Sequence, residues 1–393
     1  MPSGRNTTLP IYVAAGCMFA ALGVRSFALP LRVVELGGDK VAVGLIFSVG
    51  TVTAAGLSLP AGFLADRFGK RTLLLLSITI GGLAQVGLGV AQSLPLLLLW
   101  QGLAGVGIAG AQAALMSSLV DVVPTGTVGR ALGWLTLAFQ VGLLTGPALA
   151  GISLHWFTLG MALEISAALF GLALLLTLGI RAAPGREVGW NLIGPLREIA
   201  GRRAFAVAAV GMLGATVLWG TLQAYLPVYG KEQLRLSPEQ IGYLIALQAV
   251  ANGLARIPGG RIVDRLPRRG LLVAIGLSVY AVAIAVLPHL EGFWATTLLL
   301  TLSVPILATV YIALSVLFSN LSTAETRGVA MGLYGMVLYL GLGFGPAIFG
   351  TIMERSGYLA GFTACAVAGL LLAGLTAALR SSRVRLPRPA AAA

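Results

Sequence analysis

Carboxylates are few in this sequence: 13 Asp and Glu stand against 26 Lys and Arg, and charged residues of both signs make up only 10% of 393 positions. So sparse a charge cannot clothe a soluble surface, and with 58% of residues hydrophobic the chain is an integral membrane protein. Cysteine is nearly missing. Cys17 and Cys365 lie far apart within apolar runs, which excludes a disulfide framework and leaves them as small core residues. Histidine is as rare, with His155 and His289 at helix ends, so no metal site and no cofactor are indicated. No Gly-x-x-x-x-Gly-Lys-Ser/Thr loop occurs, so ATP is not the energy source. No nucleophile, base and orienting group stand at a recognisable spacing, which argues against an enzyme. The net charge of +13 would suit nucleic acid, yet the basic residues fall in short segments between apolar runs, the pattern of a membrane protein with its positive loops on one side. Nucleic acid is therefore not an expected partner. The first apolar run, from about Leu9 to Val34, is too long for the core of a cleaved leader and lacks a small-residue cleavage site, so it reads as the first membrane helix.

Apolar runs near 9–34, 41–64, 72–92, 95–121, 128–152, 157–181, 203–228, 239–262, 270–289, 293–320, 327–352 and 358–380 each reach the roughly 20 residues needed to cross a bilayer. They give an all-α membrane fold of twelve transmembrane helices in two pseudo-symmetric six-helix bundles. Residues 1–181 form the first bundle, 182–202 a polar linker, 203–380 the second bundle and 381–393 a tail. Nineteen of the 26 basic residues fall on the face that carries both termini, and five on the other. Both termini are therefore expected in the cytoplasm and the chain in the cell membrane.

The halves repeat each other. Gly62-Phe63-Leu64-Ala65-Asp66-Arg67-Phe68-Gly69-Lys70-Arg71 returns as Gly260-Arg261-Ile262-Val263-Asp264-Arg265-Leu266-Pro267-Arg268-Arg269, and Gly44, Pro60 and Leu73 meet Gly242, Pro258 and Leu271 at the same offset. The first copy resembles the signature of the major facilitator superfamily between its second and third membrane helices. That resemblance implies a conformational latch: Asp66 at a helix terminus pairs with basic groups, Gly62 admits a neighbouring helix, and Arg67, Lys70 and Arg71 stay cytoplasmic. The second copy keeps Gly260, Asp264, Arg265 and Arg268 but has Pro267 where the first has Gly69. Asp121 at the end of the fourth helix is the expected partner of Arg71. The plain alternative is a solvated basic turn.

Gly142-x-x-x-Gly146-Pro147-x-x-Ala150-Gly151 in the fifth helix resembles the family's antiporter motif, with a counterpart at Gly341, Gly345, Pro346 and Gly350 in the eleventh. The resemblance implies an exporter similar to the twelve-helix drug:proton antiporters; close helix packing on small residues is the alternative. Gln101 stands where such exporters carry an arginine, which weakens proton exchange.

Three full charges lie inside helices, Arg25, Glu164 and Arg256, and charges at that depth face protein or water. Arg25 and Glu164 fall at similar depth and are expected to pair, either as a static tie or for coupling. Gln248, Asn252 and Arg256 are spaced four apart, so they share one face of the eighth helix toward the interdomain cavity, unless Arg256 snorkels to the interface. Trp219 and Gln223 of the seventh helix, the latter at the repeat position of Arg25, suit a broad cavity for an amphipathic solute. The expected function is secondary transport, proton-coupled efflux of small amphipathic compounds. The runner-up is transport of organic anions or lipid-like molecules, because two intramembrane arginines face one glutamate. The expected partners are a small-molecule substrate, protons and the lipid bilayer, with the chain a monomer.

Overall fold

A bilayer offers the backbone no hydrogen bonds, so a spanning segment of this composition must satisfy its own, and among the described residues every regular element is helical. The computed structural model describes residues 5–123, 127–179, 193–266, 268–321 and 327–381. Of the expected site residues, Gly62, Asp66 and Asp121 lie outside the described side chains.

In chain order the helices are α1 (Arg5–Glu35), α2 (Lys40–Phe68), α3 (Lys70–Val90), α4 (Leu94–Val122), α5 (Val128–Ser153), α6 (Leu159–Thr177), α7 (Ile193–Ala200), α8 (Arg203–Glu232), α9 (Pro238–Arg265), α10 (Arg269–Val286), α11 (Gly292–Ser319) and α12 (Arg327–Ser381). Their starts follow from local chemistry. Asp39 accepts from the Ala42 N–H at 2.7 Å, and Ser237 and Gln240 form a reciprocal capping box before α9.

Among the described residues ten helices are long and apolar enough to span by length and composition alone. Two more crossings complete the twelve. The polar residues of α9 keep it below that threshold, and α12 runs 55 residues, more than twice a bilayer's need, with its two arms joined at Gly357 (φ 82°, ψ 171°), a backbone state open to glycine. The expected break between the eleventh and twelfth spans is thus a single-residue corner. Within the expected linker lies the short helix α7, which the apolar pattern does not mark.

Helices α1 to α6 pack among themselves, as do α8 to α12, and the halves meet mainly where α2 crosses α12 and α5 crosses α9, with α1 also against α8. Both crossings are antiparallel and matched. On α2–α12, Lys40 Nζ lies 3.5 Å from Glu354, and Ser48 Oγ donates to the Gly343 carbonyl at 2.6 Å. On α5–α9, His155 lies 3.7 Å from Glu239, and Gly151 stands against Gly242.

Candidate functional site

The site grows from the polar stripe of α9. Gln248 is buried, donates to the Leu244 carbonyl at 3.3 Å, and with Ser26 of α1 and Trp219 and Gln223 of α8 lines a cavity of about 30 Å³. That is room for about one water, so the halves are closed around it. One and two turns further along α9, Asn252 and Arg256 cross to the other half. The Gln140 amide of α5 meets the Asn252 amide at 2.7 Å. With its oxygen turned toward the guanidinium, as hydrogen-bond satisfaction requires, Gln140 accepts from Arg256 Nε at 2.9 Å and Nη2 at 3.0 Å. Arg256 Nε also donates to Asn252 Oδ1 at 3.4 Å. Tyr334 of α12 is close enough to Arg256 for electrostatic interaction. Arg256 is exposed, and its guanidinium reaches across to α5 of the other half.

Arg25 stands in a second cluster. Its guanidinium interacts electrostatically with Tyr339 of α12, whose hydroxyl donates to Gln112 Oε1 of α4 at 2.6 Å. Arg25 is half-buried and makes no hydrogen bond and no ion pair among the described residues. Tyr334 and Tyr339 are five residues apart on α12, about 7.5 Å of helix rise, and link the two clusters. Near where the halves meet stand two arginines, Arg25 half-buried and Arg256 exposed, with no buried carboxylate among the described residues.

The expected Glu164–Arg25 pair is absent. Glu164 is exposed on α6, its stem against Gly89 of α3, because the helix turns that face away from the cavity. Gln101 is 3% exposed and packs its amide on Gly50 of α2, with Oε1 lacking a partner among the described residues. Tyr225, near Gln223 in sequence, is fully buried; its hydroxyl lies 2.8 Å from the Lys40 carbonyl and 2.9 Å from that of Pro346, tying α8 to α2 and α12.

The glycine motifs are packing surfaces. A methyl group at Gly146 would run into the Ala20 carbonyl and Gly23 of α1, and one at Gly345 into Thr221 and Val217 of α8, so α5 lies on α1 as α12 lies on α8. Gly142 and Gly341 meet the same partners one turn away, while Pro147 and Gly151 face Gly242 across the halves and the Pro346 carbonyl faces Gly44. Of the basic turn, Gly69 joins α2 to α3 at φ 89°, exposed Arg67 lies over the Phe68 ring, and Arg71 donates to the Leu178 carbonyl at the end of α6 at 2.8 Å. Lys70 is half-buried at the start of α3. In the second copy Gly260 is half-buried and Asp264, Arg265 and Arg268 are exposed.

Gln112, Gln140, Tyr334 and Tyr339 join the site without having been expected there. The sequence carries a signal for three of them: at an offset of 199 Gln112 meets Tyr311 and Gln140 meets Tyr339, so polar groups recur at matched places on inner helices.

Comparison with known proteins gives one family. The family model described as Major Facilitator Superfamily matches residues 11–346 and 231–393. A relative named "Probable sulfoacetate transporter" from Cupriavidus necator is 26% identical over 84% of this chain and 83% of its own length. The 3-(3-hydroxy-phenyl)propionate transporter of Escherichia coli is 25% identical over 90% and 88%. Among solved structures, a nucleoside transporter superposes with TM-score 0.81 at 16% identity over 95% of this chain and all of that one, and a bacterial homologue of the lysosomal transporter Spinster, inward-facing and unoccupied, with TM-score 0.76 at 18% identity over 96% of each. The identities of these structures speak for the fold alone. With the matched halves, the twelve crossings and a polar cluster where they meet, the chain belongs to the Major Facilitator Superfamily and is a multi-pass membrane transporter.

Proposed function

We propose that this chain moves small organic anions by alternating access, with the acidic group of the solute held between Arg25 and Arg256. The observation that carries this reading is that Arg25 and Arg256 each stand beside a residue of the opposite half, Tyr339 and Gln140, and neither is paired with a described carboxylate. Trp219, Tyr334 and Tyr339 supply flat apolar surface for the body of such a solute. The relatives named for sulfoacetate and for 3-(3-hydroxy-phenyl)propionate handle anions, which supports the same class.

Efflux of cationic drugs draws less support, since a cation meets two like charges, and proton exchange through Glu164 would need that group in the cavity. In this reading the bundles are 1–181 and 203–380, with linker 182–202 and tail 381–393; the end bearing Gly69 and the termini is cytoplasmic and the membrane is that of the cell. The turn around Asp66 and Asp264 acts as the latch. Transport proceeds by rocking at the α2–α12 and α5–α9 crossings, opening a cavity that is closed here.

The test is flux into proteoliposomes of radiolabelled 3-phenylpropionate, sulfoacetate and a quaternary ammonium of similar size. Saturable flux of one anion, lost in Arg25→Gln at matched protein levels, is the expected result. Flux of the cation alone would contradict the proposal.

A further inference from the structure

We infer that Gln140 is a built-in stand-in for the transported anion: in the empty protein its amide oxygen occupies the Arg256 guanidinium, and the solute binds by displacing it. The inference rests on the anion reading above. One oxygen receiving Nε–H at 2.9 Å and Nη2–H at 3.0 Å covers the guanidinium edge that the two oxygens of a carboxylate or sulfonate would grip in a bidentate pair. An amide oxygen carries only part of a charge, so it satisfies the guanidinium without holding it as firmly as an anion would. Neutral stand-in and charged solute are thus ranked in the order exchange requires.

The geometry also crosses the halves. Gln140 belongs to α5 in the first bundle, and Asn252 and Arg256 to α9 in the second, so the contact that the solute replaces is one of the ties that close the α5–α9 crossing. Occupation of Arg256 therefore releases this tie. Arg25 has no such cap among the described residues. Capping lowers apparent affinity by the fraction of protein in which Arg256 is uncapped. A cap present nine-tenths of the time weakens binding about tenfold.

The experiment titrates purified protein with 3-phenylpropionate and with sulfoacetate, comparing wild type, Gln140→Met, Gln140→Glu, Arg256→Gln and the double variant Gln140→Met with Arg256→Gln. Gln140→Met keeps the volume and removes the acceptor, and is expected to bind the better probe about tenfold more tightly. Gln140→Glu places a permanent carboxylate on Arg256 and is expected to weaken binding at least about tenfold, as an occupied site would. In the Arg256→Gln background the Gln140→Met change is expected to do nothing, which a packing effect would not reproduce. Unchanged or weaker binding in folded Gln140→Met overturns the role of Gln140 while leaving the anion reading standing. If that variant does not fold, wild-type affinity in Gln140→Glu overturns the same role. A wild type that binds neither anion overturns both.

Discussion

Arg25 on α1 and Arg256 on α9 look alike in sequence, each a lone cation in a membrane helix, yet their surroundings differ. Arg25 stands beside Tyr339 of the second half and makes no hydrogen bond among the described residues, whereas Arg256 is held across the interface by Gln140 with Asn252 beside it. An intramembrane cation is costly unless water, a dipole or a counter-charge meets it. On the reading proposed above, the open one is left for a ligand and the capped one joins ligand binding to the contact between halves, so two equal charges take unequal parts.

The largest effect is expected at the open arginine. Arg25→Gln should weaken binding of an organic anion by about 1.5–3 kcal/mol, the worth of a charged hydrogen bond, read by titration of purified protein. Arg256→Gln should cost less, about 0.5–1.5 kcal/mol, because the empty protein forfeits the Gln140 contact as well. Equal losses in the two variants would erase the distinction between open and capped sites. Tyr339→Phe removes the donor to Gln112 beside Arg25 and should lower stability by about 1 kcal/mol, visible as a reduced thermal midpoint; an unchanged midpoint would mean that the hydroxyl bond contributes nothing. The smallest effect is expected at Glu164, which is exposed and outside both clusters. Glu164→Gln should shift stability by less than about 0.5 kcal/mol and leave flux under a pH gradient intact. Abolished flux there would restore a coupling role that its position does not support.

Much of the fold is legible in the sequence because bilayer crossing is a one-dimensional constraint: length and apolarity mark each span, and the repeat of Gly62–Arg71 at Gly260–Arg269 doubles the signal. The stripe Gln248, Asn252, Arg256 is legible for a similar reason, since four-residue spacing fixes a common face whatever that face meets. Partners are harder. Depth along a helix puts Glu164 near Arg25, but rotation about the helix axis decides contact, and α6 turns Glu164 outward. Gln140 is hidden because it precedes Gly142 in a run whose glycines point toward close packing. Gly142 and Gly146 do pack on α1, while Gly151 stands against Gly242 where α5 meets α9, the crossing at which Gln140 reaches Arg256. The polarity of α9, which lowers its apolar signal, is a mark of the site itself.

If the space between the halves selects negative charge, wild-type protein must tell apart a matched pair of ligands, 3-phenylpropionate and 3-phenylpropylammonium, which share a ring and chain length and differ in the sign of the head group. A binding titration with the two is expected to give saturable binding of the carboxylate, weakened in Arg25→Gln, and at least tenfold weaker binding of the ammonium, about 1.4 kcal/mol or more between them. Equal affinity for both, or tighter binding of the ammonium, would contradict selection for negative charge.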